Sequence, residues 1–343
     1  MSTQTFLKYL ACFVLVLTLL SVAQDAGPAK YEVADTIKVG GEGGWDYASL
    51  SEDGKLLFLP RTSHAMVVDT ASGKVVGDFG KIGKGHGIAV APTAGRGFLT
   101  DGKNGTVVLF DLKTFDVLGT IPAADDADGI IYDAASDSVL VSCGDAGVML
   151  AIPANVDPKN GKPPATIELG GKPEFLATDV SGKAFVNLAD KDMVAEIDTK
   201  AMKLVTKWST GPGKDPTGLS IDTKNGRLYV GCRNQKMIVM STKDGAVLAD
   251  LPIGRGVDGT AFANGTAFAS CTDGTLTIIR ETSASKFEVV QTVKTAPGAK
   301  TMAVDSNASH IYLPTADMEP AVGKARPTPV AGTFKVLVVK PAK

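Results

Sequence analysis

The chain has 343 residues, of which 44% are apolar and 21% are charged, and it contains 38 glycines. This composition is typical of a soluble, glycine-rich all-β protein and excludes a disordered or fibrous chain. The formal net charge of -2 gives the protein no bulk preference for nucleic acid or for a membrane surface.

The N-terminal segment has the features of an export signal. Lys8 precedes an apolar run from Leu10 to Leu20, and small residues end the segment at Ser21 and Ala23, where signal peptidase cleaves. The run is shorter than the ~20 residues that a membrane-spanning helix needs. We therefore predict that residues 1–23 are a signal peptide. Residues 24–343 are predicted to form a single domain without a membrane span, located in the periplasm or secreted.

The rest of the sequence repeats one unit, which is clearest at Asp215–Gly254. The unit contains four short runs of β-forming residues, separated by turn signals such as Asn225-Gly226 and Asp244-Gly245. One apolar residue near the end of each fourth run recurs at spacings in the low forties. These residues are Ile37, Phe79, Ile121, Ile167, Trp208, Leu251 and Val293. A four-strand period of this length is typical of a β-propeller blade.

The repeat predicts an all-β fold, a seven-bladed β-propeller with four antiparallel strands in each blade. Only three strands follow Val293, at Thr301–Val304, His310–Leu313 and Phe334–Val339. The missing outer strand is available at the other end of the chain, in residues 31–39. We expect this N-terminal strand to complete the last blade and close the ring, because closure leaves no blade with an open interface.

The second strands share a tetrad of an aromatic, an aliphatic, a small and a polar residue, as in Phe98-Leu99-Thr100-Asp101 and Tyr229-Val230-Gly231-Cys232. The pattern of Asn104–Thr114 then follows, with a Gly-rich link to the next unit. Over residues 31–340 the chain resembles the bacterial YVTN-repeat (YncE-like) seven-bladed propeller proteins. The resemblance implies an exported, non-enzymatic propeller, and some members of that family bind nucleic acid. Trp45-Asp46 is similar to the WD dipeptide of WD40 repeats, but it begins a first strand rather than ending a third.

Equivalent positions of the blades become neighbours around the channel of a propeller. The residues that enter the innermost strands form a first column, which is rich in carboxylates, and those that leave the second strands form a second column on the same face. We predict that both columns and the nearby loops bind a ligand at the channel mouth. The candidate residues are Asp46, His86, Asp128, Glu174, Thr217, Asp258, Lys300, Arg61, Asp101 and Arg233. Glycines after three of them are expected to let a ligand approach the backbone.

Two further features belong to this face. Cys143, Cys232 and Cys271 all lie in the second column but on different blades, so we expect buried, reduced thiols rather than disulfides. The loop Asp317–Gly332 is longer than ordinary connections and is expected to cover the mouth.

The first column predicts function through its charge, because like charges around one opening repel each other unless a cation or a donor lies among them. We predict an exported, monomeric propeller without catalytic residues that binds a small polar ligand or a protein partner. No cofactor or metal site is predicted, although a divalent cation is an alternative occupant of the mouth. A metal-assisted hydrolase of the lactonase type is a second hypothesis, since the same architecture hosts lactonases. Single-stranded nucleic-acid binding is a third, disfavoured by an acidic to mixed face.

Overall fold

Short apolar runs bounded by Gly, Asn and Asp turns form β-strands along the whole repeat. The computed structural model describes residues 30–159, 164–320 and 327–342. In these ranges the strands form seven four-stranded antiparallel sheets. The predicted signal peptide, residues 1–23, lies outside the described residues. No helix within the described ranges is long and apolar enough to cross a membrane.

The first strand of the chain is β1, Tyr31–Lys38. Blade 1 then contains β2 Ser49–Leu50, β3 Leu56–Pro60, β4 Ala65–Asp69 and β5 Val75–Phe79. Blade 2 contains β6 Gly85–Ala91, β7 Arg96–Asp101, β8 Thr106–Asp111 and β9 Val117–Pro122. Blade 3 contains β10 Ala127–Asp133, β11 Ser138–Cys143, β12 Val148–Pro153 and β13 Ala165–Glu168.

Blade 4 contains β14 Pro173–Thr178, β15 Lys183–Leu188, β16 Met193–Asp198 and β17 Lys203–Ser209. Blade 5 contains β18 Pro216–Asp222, β19 Arg227–Cys232, β20 Lys236–Ser241 and β21 Val247–Pro252. Blade 6 contains β22 Val257–Ala263, β23 Thr266–Cys271, β24 Thr275–Ser283 and β25 Lys286–Lys294. Blade 7 contains β26 Ala303–Asp305, β27 His310–Thr315 and β28 Lys335–Pro341, with β1 as its outermost strand. Two short 3-10 helices lie between strands, at Pro92–Ala94 and Ala189–Lys191.

The seven blades form a closed ring. The innermost strands contact one another in succession from β2 through β6, β10, β14, β18 and β22 to β26, and β26 contacts β2. The seven apolar markers that predicted the blades all lie in the fourth, outermost strands. The prediction of a seven-bladed propeller is therefore confirmed.

The core is divided among the blade interfaces. Buried apolar side chains form seven clusters, one between each pair of neighbouring blades. At the interface of blades 1 and 2, for example, the rings of Phe58 and Phe110 lie 6.0 Å apart. Middle strands are buried on both faces because each blade packs between two others, and β11 is buried at every position. Stability is thus distributed over repeated, nearest-neighbour contacts.

Closure of the ring depends on β1. This strand pairs antiparallel with β28, from Tyr31 opposite Pro341 to Lys38 opposite Lys335. The backbone of Tyr31 also exchanges two hydrogen bonds with the Gln291 side chain of blade 6, at 2.8 and 2.7 Å. The predicted completion of the last blade by the N-terminal strand is confirmed.

The three cysteines of the described chain are free and buried, as the sequence predicted. Burial raises the pKa of Cys143 to about 11 and those of Cys232 and Cys271 to about 12. Their thiols are therefore protonated and poorly reactive at neutral pH, because the thiolate is the reactive form.

Candidate functional site

β-bulges position the first-column residues of blades 2 to 6. In blade 3, Ala127 pairs with Cys143 at the end of the second strand, and the register shifts directly afterwards, at Asp128. The same shift follows the first pair of blades 2, 4, 5 and 6, at His86, Glu174, Thr217 and Asp258. In blade 1, Asp46 follows the equivalent bridge between Trp45 and Arg61. Because a bulge redirects the side chain of its extra residue, neighbouring blades present equivalent side chains at one mouth.

A continuous chain of ion pairs, which we call the paired arc, joins four residues of the first column: Asp258, Lys300, Asp46 and His86. Lys300 Nζ contacts Asp258 Oδ2 and lies 3.1 Å from Asp46 Oδ1. The other oxygen of Asp46, Oδ2, lies 2.8 Å from His86 Nδ1. The arc runs through blades 6, 7, 1 and 2 with alternating sign, so it crosses the seam that β1 closes.

The pKa values of the paired arc reflect this mutual support. Burial acts to raise the pKa of Asp46, but Lys300 and the hydrogen bond from His86 outweigh it and hold that pKa below its usual value. Burial acts to lower the pKa of Lys300, but the two aspartates outweigh it and raise that pKa. For His86, burial is likewise outweighed by the hydrogen bond to Asp46 and the charge of Asp128, so its pKa is raised. Each member therefore favours the charged form of the next.

Asp128 and Glu174, in blades 3 and 4, are not compensated in this way, and we call them the unpaired arc. Asp128 Oδ1 lies 3.3 Å from His86 Nδ1, yet this buried oxygen accepts no hydrogen bond within the described chain. Burial raises the pKa of Asp128 to about 8, since the charge of His86 offsets only part of the effect. Burial also raises the pKa of Glu174 to about 7, opposed mainly by the charge of Arg233. Two adjacent carboxyl groups therefore resist ionisation near neutral pH.

Arg233, predicted from the loop after the second column, does reach the site. Its guanidinium lies 3.5 Å from Asp215 and 3.8 Å from Asp258, and its side chain remains 46% exposed. Its ion pairs are thus with residues outside the unpaired arc. Among the described residues, the first column sets four carboxyl groups against Lys300 and His86, with Arg233 nearby.

Two other candidate residues, Thr217 and Asp101, make contacts that support the fold. Thr217 is completely buried, and its hydroxyl donates to the carbonyl of Val257 in the next blade at 2.8 Å. Asp101 is buried and accepts hydrogen bonds from the backbone N–H groups of Gly83 and Lys84. The polar groups of both residues therefore already have partners within the protein.

Arg61 is the clearest departure from the predicted site. It is completely buried, and its guanidinium lies 3.7 Å from the ring centroid of Phe334. It donates to the carbonyls of the glycine-rich link after β1, at Gly40, Glu42, Gly43 and Gly44. Burial lowers its pKa to about 10. Arg61 is therefore a structural residue that attaches the link to the ring, not a ligand-binding group.

The glycines beside the mouth also have a different role from the predicted one. A Cβ on Gly129 would lie 3.0 Å from the carbonyl oxygen of Glu174 in the next blade, and one on Gly87 would lie 3.2 Å from that of Asp128. These glycines permit close packing of one bulge against the next. Their small size is required by the neighbouring blade rather than by a ligand.

An aromatic pair and a cavity lie in the channel next to the charged residues, and the sequence indicated neither arrangement. The rings of Tyr47 in blade 1 and Phe175 in blade 4 are 4.5 Å apart, so side chains from opposite parts of the ring meet. Both residues also line a mainly apolar cavity of about 770 Å³, formed by the inner strands of blades 1 to 4. Burial and the four surrounding carboxylates raise the pKa of Tyr47. The aromatic pair therefore borders both the charged residues of the mouth and the apolar cavity.

The mouth also contains a group with metal-ligand chemistry. Asp46, His86 and Asp128 each offer one ligand atom, and these atoms lie within 4.8 Å of one another. The sequence predicted carboxylates spread around the ring, whereas the structure brings two of them to one imidazole. The predicted covering loop is described in part: Met318 bridges Pro329, and Asp317 pairs with Lys335, while residues 321–326 lie outside the described chain.

Comparison with known proteins identifies the fold but not a family. No family model matches the sequence, and no curated protein matches it. The structure is similar to hydrazine synthase from Kuenenia stuttgartiensis, with a TM-score of 0.68, 15% identity, and coverage of 79% of this chain and 92% of that one. It is similar to U3-55K, with a TM-score of 0.73, 10% identity, and coverage of 91% and 100%. The WD40 repeats of RRP9 give a TM-score of 0.75, 8% identity, and coverage of 91% and 99%.

Proposed function

We propose that this protein is an exported, non-enzymatic propeller that binds a small, positively charged ligand at its channel mouth. The observation that carries the proposal is the unpaired arc. Asp128 and Glu174 are neighbouring first-column residues whose pKa values are raised, to about 8 and about 7, by burial. Their burial is costly unless a proton or another cation accompanies them.

The rest of the mouth supports a positively charged ligand. Lys300 is already shared by Asp46 and Asp258, and Arg233 pairs with Asp215 and Asp258. Asp128 and Glu174 would gain a partner of opposite charge if a cation replaced their protons, whereas carboxyl groups offer no such gain to the phosphates of a nucleic acid. Export is supported by the N-terminal sequence, and the resemblance to YVTN-repeat propellers agrees with a binding role outside the cytoplasm.

A thermal-shift panel tests the proposal on the purified mature chain. The panel contains divalent metal ions, the organic cations spermidine and lysine amide, neutral sugars, a lactone and an oligonucleotide. At a concentration of 100 times its Kd, a ligand should add about 2.7 kcal/mol of stability. We expect at least one cation to stabilise the parent, and the double variant Asp128→Asn/Glu174→Gln to lose that stabilisation.

The matched control is the double variant Asp125→Asn/Asp145→Asn, which removes the same charge from exposed loop positions on this face. It should keep the parent's response. If both double variants lost the stabilisation by the cation equally, the cation would be responding to the overall charge of the protein, and a specific site would be contradicted. Stabilisation by the sugar or the oligonucleotide alone, or turnover of the lactone, would also overturn the proposal.

A further inference from the structure

We infer that the positively charged ligand is a divalent transition-metal ion, held by Asp46 Oδ2, His86 Nδ1 and Asp128 Oδ1. This inference rests on the proposed function and specifies its ligand. The three groups come from consecutive blades, 1, 2 and 3, where equivalent bulges present them to one point. Their chemistry, one imidazole nitrogen and two carboxylate oxygens, is that of many metal centres.

The distances fit a small ion. Asp46 Oδ2 lies 2.8 Å and Asp128 Oδ1 lies 3.3 Å from His86 Nδ1. Ligand atoms about 2.1 Å from a tetrahedral ion are roughly 3.4 Å apart. The spacing at Asp128 already fits such an ion, the Asp46 carboxylate would have to shift outward by about 0.6 Å, and all three ligand atoms lie within 4.8 Å of one another.

The number of hydrogens on His86 Nδ1 supplies an independent argument for a metal ion. Nδ1 carries at most one hydrogen, and its 2.8 Å bond to Asp46 uses it. Asp128 Oδ1 lies against the same nitrogen and is buried, but it accepts no hydrogen bond from any residue that the structure describes. The His86 side chain is only 7% exposed, so its nitrogen is held between two carboxylates away from bulk water. A metal ion satisfies both carboxylates at once, which one N–H cannot do.

The surrounding residues hold the two aspartate ligands in place. Lys300 occupies Asp46 Oδ1 and leaves Oδ2 facing the imidazole. The hydroxyls of Thr301 and Thr100 donate to the backbone carbonyls of Asp46 and Asp128, both at 2.8 Å. Such supporting contacts orient ligands and raise metal affinity.

The ligand set selects among metals. Calcium takes six to eight oxygens and magnesium keeps an oxygen shell, whereas this group offers a buried imidazole and few oxygens. Imidazole with carboxylate suits zinc, cobalt, nickel, iron or manganese. Three protein ligands also leave a coordination position free for a water or a small molecule. Zn²⁺ and Co²⁺ are therefore the appropriate probes.

The test is a titration of the chelated, purified mature chain with Zn²⁺ against a chromophoric chelator, and with Co²⁺ followed by its visible d–d spectrum. We expect one ion per chain and an intense Co²⁺ spectrum of low-coordinate N/O ligation. His86→Gln and, separately, Asp128→Asn should each weaken Zn²⁺ binding by about 100-fold or more. His310→Gln in blade 7 and Asp145→Asn are controls that should bind like the parent.

The outcomes separate this inference from the proposed function. If spermidine or lysine amide stabilises the parent but neither metal binds, the mouth is a cation site and the metal assignment is wrong. If neither metals nor organic cations bind, both the proposed function and the metal assignment are wrong. Unchanged Zn²⁺ affinity in the Asp128→Asn variant, which keeps the imidazole, would also overturn the assignment. Circular dichroism of each variant shows whether the propeller is folded.

Discussion

The paired and unpaired arcs of the mouth are built from equivalent positions of the repeat, where the chain enters the innermost strands, yet their charges are compensated differently. In the paired arc, each charged group touches one of opposite sign, and Lys300 and Asp46 hold each other ionised. In the unpaired arc, the pKa values of Asp128 and Glu174 are raised instead. A carboxyl group in this column therefore ionises readily when nearby cations outweigh its burial, as for Asp46, and resists ionisation when they do not, as for Asp128 and Glu174.

The largest effect should come from opening the seam that the paired arc crosses. Removing Tyr31–Lys38 deprives β28 of its outer partner and lets blade 7 separate from blade 1, which breaks the contact between Lys300 and Asp46. An exposed sheet edge also favours aggregation. We expect loss of the cooperative thermal transition and oligomers in size-exclusion chromatography. A monomer with the parent's melting temperature would contradict this role of β1.

A smaller but still large loss should follow removal of the central cation of the paired arc. Lys300→Met leaves Asp46 and Asp258 close together without their shared partner. We expect the free energy of unfolding in urea to fall by about 3 kcal/mol, as for other broken buried ion pairs. The control is Lys191→Met, which breaks a more exposed pair with Asp190 and should cost less than about 1 kcal/mol. Equal losses would show that the arc has no special role.

The same isosteric substitution, Asp to Asn, should change the free energy of unfolding in opposite directions in the two arcs. Asp46→Asn removes the partner of both Lys300 and His86 and should destabilise the protein by about 2 kcal/mol. Asp128→Asn removes an uncompensated buried carboxylate and should stabilise the chelated protein at pH 8.5 by roughly 1 kcal/mol. Urea unfolding in the presence of a chelator measures both values. Losses of the same sign and size would remove the distinction between the arcs.

The smallest effect is a pH dependence that belongs mainly to the unpaired arc. Groups whose folded pKa is raised stabilise the protein at low pH and lose that contribution as pH rises through the folded pKa, here about 7 for Glu174 and about 8 for Asp128. The raised pKa of His86 acts in the same direction. The melting temperature of the chelated protein should therefore fall from pH 5 to pH 8 and then level off.

Asp128→Asn should flatten that slope, because it removes the proton that Asp128 holds in the folded protein and releases as the pH rises toward 8. Asp145→Asn, at an exposed position of the same face, should leave the slope unchanged. A melting temperature that rises between pH 5 and pH 8 would show that the carboxyl groups ionise normally.

Much of the fold could be predicted because it is repeated. The seven apolar markers, the hairpin turns and the unpaired strand at residues 31–39 each recur or complete a pattern, so several blades give the same answer. The equivalence of Asp46, His86 and Asp128 as strand-entering residues follows from the same repetition.

The site was less predictable because its contacts are specific to single blades. Lys300 and Asp46 are distant in the sequence and meet only through ring closure. Arg61 and Asp101 both belong to the second column, but they have different partners. The link after β1 surrounds the guanidinium of Arg61. Asp101 accepts hydrogen bonds from backbone N–H groups. No periodic signal indicates the role of Arg61, because its partner, the link after β1, has no equivalent in the other blades. The contact of Tyr47 with Phe175 across the ring has the same origin.

The number of blades has a consequence for the charge pattern around the mouth. Signs can alternate completely only around a ring with an even number of positions, and this ring has seven. Going round from Asp258 through Lys300, Asp46 and His86, the alternation holds as far as Asp128 and then fails at Glu174. Seven charged residues would force at least one like-charged neighbouring pair, and a single neutral residue is enough to remove that constraint. Thr217 is the neutral position of this ring, so the like-charged pair of Asp128 and Glu174 is not imposed by the number of blades. A cation in place of Glu174 would complete the alternation, and the pair is therefore a property of the residues at these two positions.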